Sequence, residues 1–137
     1  MSEAADRLRA LFPEAVIEPP KTPGAYLLLI ALEQGLSCTI RKRTFTLTPG
    51  TYAYCGSAKG PGGIAARVAR HLRRDKQPHW HIDQLTMAAH AISVLAFPGG
   101  SECALVARLT GGSGASIPVA GFGSSDCRHC PAHLLRL

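Results

Sequence analysis

The sequence predicts one α/β domain, a small central antiparallel or mixed sheet flanked by helices. Three observations predict it. Residues 24–32, GAYLLLIAL, are a nearly continuous apolar run, as in a strand covered on both faces. Residues 62–74, GGIAARVARHLRR, carry apolar side chains at helical spacing. Strand-like and helix-like stretches then follow one another between turns rich in Gly and Pro. A chain of 137 residues is long enough for one real core, and a hydrophobic share of 46% excludes the disordered class.

The elements can be taken in order. Residues 4–12, AADRLRALF, predict a short helix leaning Leu8, Leu11 and Phe12 on a neighbour. Pro13, Pro19, Pro20 and Pro23 then predict an extended connection, so this N-terminal piece is expected as an appendage to the main domain. After the strand at 24–32 comes the turn Glu33-Gln34-Gly35. Residues 36–47 predict one or two strands around a basic turn, Arg41-Lys42-Arg43. Thr48-Pro49-Gly50 is a further turn, and 51–55 is a strand. In the helix at 62–74, Ile64, Ala65, Val68 and Leu72 fall on one side. Pro78 opens a helix over about 79–89, and 91–97, AISVLAF, is a strand. Ser101 is a suitable N-cap for a helix over 102–110. Cys38 and Cys55 read as strand core.

The net charge is +6, unevenly spread. Residues 41–76 hold nine of the fifteen Lys and Arg, with Asp75 as their one acid. A polyanion partner or a plain solvated face would each account for this. No apolar run approaches the roughly 20 residues of a membrane-spanning helix. The N-terminus has no signal-peptide pattern, and five cysteines, an odd number, fit reduced thiols. A cytoplasmic location is the expectation.

Candidate chemistry gathers around the basic helix. Arg67, His71 and Arg74 line one flank at helical spacing, and Arg70 and Arg73 lie farther toward solvent. The preceding loop has Gly56, Gly60, Gly62 and Gly63, so its amides and the helix N-terminus could hold phosphate. Glycine-rich turns of this kind also occur without a ligand. In HWHID (79–83), His79 and Asp83 are placed to ligate a metal or to pair, and the expectation is that Trp80 packs while Asp83 caps or salt-bridges. Cys127 and Cys130 form one Cys-x-x-Cys. With Cys103 and His133 they make a partial zinc set, lacking the second paired half-site of a full signature, and the expectation is that they pack, fastening the tail near the helix at 102–110.

Gly24-Ala25-Tyr26 and Tyr54-Cys55-Gly56 resemble the two short motifs of the GIY-YIG nuclease superfamily. Arg67 and His71 match its arginine and the residue four positions on, and Glu102 stands where it keeps a metal-binding glutamate. The strings HWHID, SECALVARL (101–109) and PVAGFGSSDCRHC (118–130) resemble one poorly characterised branch of small proteins, sometimes fused to endonuclease III-like DNA glycosylases. The resemblance covers residues 22–137, leaving 1–21 as the N-terminal helix and connection. It implies a metal-dependent endonuclease acting on DNA phosphodiesters, in DNA repair or on branched or damaged DNA, with RNA left open and a functional link to a base-excision glycosylase. Glu102 would hold Mg²⁺ or Mn²⁺. Tyr26 or Tyr54 would act with a water as the activating group, Arg67 would clamp the phosphate, and His71 or His81 would relay protons. Gly56, Arg41, Lys42, Arg43, Lys59, Arg70 and Arg74 would contact the nucleic acid. The spacing from Tyr26 to Tyr54 exceeds that of homing-endonuclease members, and the chain has no Asn for their closing asparagine. The alternative is therefore a nucleic-acid-binding module with a degenerate site.

Overall fold

The computed structural model describes residues 3–40, 42–77, 81–112, 115–118 and 132–137. The elements run α1 (Glu3–Leu11), β1 (Gly24–Leu32), β2 (Leu36–Ile40), β3 (Arg43–Leu47), β4 (Gly50–Ala58), α2 (Gly63–Leu72), α3 (Asp83–Ala88), β5 (Ala91–Pro98), α4 (Glu102–Gly112) and β6 (Leu134–Arg136). The result is a small α/β domain. Its main sheet has four strands in the order β5-β1-β4-β6, and every pairing is antiparallel. The hairpin β2–β3 forms a separate two-stranded sheet.

The apolar run of β1 is continuous because the strand is central and covered on both faces. Its alternate residues divide the core in two. Tyr26, Leu28 and Ile30 join Tyr52, Tyr54, Ile64, Val68 and Leu85, on the side of α2, α3 and the hairpin. Ala25, Leu27 and Leu29 join Ala53, Cys55, Leu105, Val106 and Leu109, on the side of α1 and α4. Cys38 and Cys55 are buried in strands, as read from the sequence.

The N-terminal piece is built into this body. Ala5, Leu8 and Phe12 pack in the second cluster, and Phe12 meets Phe97 edge-on. Arg108 of α4 donates to Glu14 and to the Leu11 carbonyl, and its guanidinium covers the Phe12 ring. Val16 then exchanges two backbone hydrogen bonds with Ala96, at 2.9 and 2.8 Å, along the outer edge of β5.

Several element boundaries differ from expectation: β4 runs Gly50–Ala58 against an expected 51–55, and α2 runs Gly63–Leu72 against an expected 62–74. The helix expected over 79–89 begins only at Asp83, after a turn at His81 and Ile82. The C-terminal HLLRL contains β6, which pairs Tyr52 with Arg136 and Tyr54 with Leu134. The expected cap of α4 is present, with the Ala104 amide donating to Ser101 Oγ at 3.4 Å. Among the described residues no helix is long and apolar enough to cross a membrane.

Candidate active site

Register brings Gly24-Ala25-Tyr26 and Tyr54-Cys55-Gly56 side by side. Tyr26 of β1 lies opposite Gly56 of β4, and Leu28 lies opposite Tyr54. Both phenols therefore project from one face, toward α2. Gly56 is inside the strand, and a side chain there would run into the Tyr26 ring, within 2.6 Å of Cε2. This corrects its expected part in nucleic-acid contact: Gly56 is the space in which Tyr26 lies.

Beneath the tyrosines is His71. It is fully buried, whereas Leu72, expected on the apolar side, is 45% exposed. The helix is thus turned toward the sheet through Ile64, Val68 and His71. The Tyr26 phenol oxygen is 2.6 Å from His71 Nε2. The Tyr54 ring meets the same imidazole edge-on, with centroids 5.8 Å apart.

Electrostatics fixes the resting protonation of this trio. Burial, followed by the charge of Lys76, lowers the pKa of His71 from 6.5 to about 3, so the imidazole is neutral. Burial pushes both phenols well above their ordinary value. After burial, Tyr54 feels the Glu102 carboxylate and Tyr26 feels Tyr54, and Arg67 opposes the shift in each. Neither tyrosine is a resting phenolate.

The neutral imidazole has a consequence for stability. Its folded pKa lies below its unfolded value, so its stabilising effect is present above pH 6.5 and is lost as pH falls toward about 3. Within that window His71 alone steepens the loss by up to about 1.4 kcal/mol per pH unit. Urea denaturation at stepped pH checks this. The excess slope between pH 6.5 and 5, where most carboxylates are still ionised, is expected to vanish in His71→Phe.

Arg67 is half-buried and lines an open depression of about 230 Å³ with Gly60, Pro61, Gly63, Ala66 and Arg70. Lys59, next in sequence to Gly60, is exposed. The amides of the first turn of α2 are taken up within the chain. The Ile64 amide donates to the Thr22 carbonyl at 3.0 Å and the Ala65 amide to the Pro20 carbonyl at 2.8 Å. Gly63 and Ala66 donate to Gly60 and Gly62. The first turn of α2 is therefore capped by the chain itself.

Arg70, expected toward solvent and at the nucleic acid, instead forms a two-pronged ion pair with Asp83 at 2.9 and 3.0 Å. Asp83 is fully buried and salt-bridges as expected. Lys76 stands 3.6 Å from the same carboxylate. Its ammonium also donates to the carbonyls of Arg70 and His71 and to Thr86 Oγ1, at 3.0, 2.8 and 3.0 Å. Sequence reasoning missed Lys76. Its signal was a lysine just past a helix end, where cations meet unpaired carbonyls.

The remaining candidates are dispersed. Lys42 and Arg43 are exposed at the tip of the hairpin, Lys42 in the left-handed region with φ 66°, and Arg41 lies outside the described residues. The hairpin continues the Leu32–Gly50 end of the β1–β4 ladder, and Gln84 of α3 binds it through Thr39. Arg74 is exposed, and His81 is half-buried in the turn before α3. Glu102 opens α4 and is half-buried, and its charge reaches Tyr54, Tyr26 and Cys55. Cys103 is half-buried and His133 is buried, the latter's carbonyl accepting from the Cys55 amide. Cys127, Cys130, His79 and Trp80 lie outside the described residues. Among the described residues no three His, Cys, Asp or Glu side chains cluster as a metal site. Tyr52, which had no expected role, accepts from Arg136 at 2.8 Å and donates to the Thr48 carbonyl at 2.6 Å, riveting β6 to the turn before β4.

No curated protein matches the chain, and no solved structure matches it. One family model does match, over residues 25–137, and the chain belongs to that family, described as a domain of unknown function, DUF123.

Proposed function

We propose that the chain is a metal-dependent endonuclease of GIY-YIG type that hydrolyses DNA phosphodiester bonds. The observation that carries this reading is the stack of Tyr26, Tyr54 and His71 on the helix whose Arg67 lines the open depression. Arg67 would clamp a phosphate there, and the exposed Lys59, next in sequence to Gly60, would add positive charge to the preceding loop. Tyr26 is 1% exposed and bonded to His71, so it acts as the fixed partner. Tyr54 is the less enclosed phenol at 9%, and it would orient the attacking water.

A hard cation suits a single carboxylate, with water and substrate phosphate filling its remaining positions. Glu102 fits that requirement, being half-exposed and already coupled to Tyr54. Mg²⁺ or Mn²⁺ held there would stabilise charge on the scissile phosphate and offset the carboxylate's effect on Tyr54.

Purified protein is expected to nick duplex, flap or junction DNA when Mg²⁺ or Mn²⁺ is added. Glu102→Ala and Arg67→Ala should each lower kcat by about 10²–10³. Absence of cleavage on all three substrates with both ions would rule the reading out.

A second reading is favoured by the exposure of Lys42, Arg43, Lys59, Arg73 and Arg74. On this reading the chain binds nucleic acid without cutting it. Affinity would then fall with salt and with neutralisation of Lys42 and Arg43, and Glu102→Ala would leave it unchanged.

A further inference from the structure

Lys76 is unusual for a lysine. Its side chain is only 5% exposed, and its ammonium has four oxygen neighbours. Two are carbonyls of the last turn of α2, one of them that of His71. The other two, Asp83 and Thr86, belong to α3. The cation thus occupies the negative end of the α2 dipole and ties it to the next helix. His71 is the innermost residue of that same turn, and its ring meets Tyr26 and Tyr54 above.

We propose that Lys76 is a positioning residue for the Tyr26–His71 pair, holding His71 in place and uncharged beneath the tyrosines. The fixed last turn sets where the imidazole points. The adjacent ammonium opposes a second positive charge on the ring. In the proposed arrangement the Tyr26 phenol donates to Nε2, which places the ring's own proton on Nδ1. Among the described residues, the charged and titratable groups facing His71 are Tyr26 on β1, Tyr54 on β4, Arg67 and Arg70 on α2, Asp83 on α3, and Lys76 itself. Arg67, Arg70 and Lys76 disfavour the imidazolium, and Asp83 favours it. Burial does most to keep the ring neutral, and among the charges that of Lys76 weighs most, since Asp83 is already matched by Arg70.

The proposal rests on reading the Tyr26–His71 pair as part of the site, and its test needs no nucleic acid. Nitrogen NMR of the His71 ring across pH reads protonation and tautomer directly. In the unaltered chain His71 should stay neutral through its ordinary 6.5 and titrate only near about 3, with the proton on Nδ1. In Lys76→Met the midpoint should rise by about one unit or more, a tenfold gain in proton affinity, and Lys76→Arg should restore it. A folded Lys76→Met with an unchanged His71 titration would overturn the proposal and leave Lys76 as a helix fastener. The unaltered chain is a second arm that does not depend on the variant folding. An imidazolium at neutral pH, or a proton on Nε2, also overturns it. Failure to cleave DNA would instead remove the nuclease reading and leave these NMR results standing.

Discussion

Asp83→Ala is expected to lower stability by about 3–5 kcal/mol, the cost of removing one member of a buried charge cluster. Asp83 is fully buried and receives both arms of Arg70 as well as the charge of Lys76. Without the carboxylate, two cations face each other in a poorly solvated space. Lys76 has little water to turn to at 5% exposure, whereas Arg70 at 28% can swing outward. The loss should therefore exceed that of Asp75→Ala by several-fold. Asp75 pairs with Arg73 at the surface, where both side chains are more than half exposed and the pair is worth about 0–1 kcal/mol. Urea denaturation of the two variants side by side checks the contrast. Equal losses would show that the buried cluster contributes no more than a surface pair.

Gly63→Ala is expected to be comparably severe for a different reason. The residue has φ 58°, in the left-handed region, and a β-carbon there would drive into the carbonyls of Lys21 and Thr22. Backbone strain and overpacking each cost about 1–3 kcal/mol. Gly60 offers the matched control, since a β-carbon there meets nothing within 4 Å. Gly60→Ala should unfold at nearly the parental denaturant concentration, and Gly63→Ala well below it. Equal midpoints would mean that the crossing of residues 20–22 over α2 is not a tight one.

The longer strands and the main helices were legible because their signals are local. The apolar run of β1 and the spacing of Ile64 and Val68 require no knowledge of distant partners. The orientation of α2 was not legible in full. Periodicity chose Leu72 for the inner face, yet His71 lies there because its partner, Tyr26, is 45 residues away in sequence. A polar residue satisfied across the fold has no local signature. Gly56 misled in a related way. Beside Gly60, Gly62 and Gly63 it read as loop, while strand register places it under an aromatic ring. Arg70 read as solvated because its partner, Asp83, belongs to the next helix. The three-residue β6 is too short for any alternation to stand out.

The capping of α2 by Pro20 and Thr22 also separates two kinds of boundary. The region shared with the family begins at residue 25, whereas the acceptors for Ile64 and Ala65 come from before it. At this edge the matched region is therefore not a self-contained packing unit. A graft cut at residue 25 would carry Arg67 and His71 on a helix whose first amides have lost their partners. Whatever sequence is spliced ahead of it would have to present two carbonyls in their place.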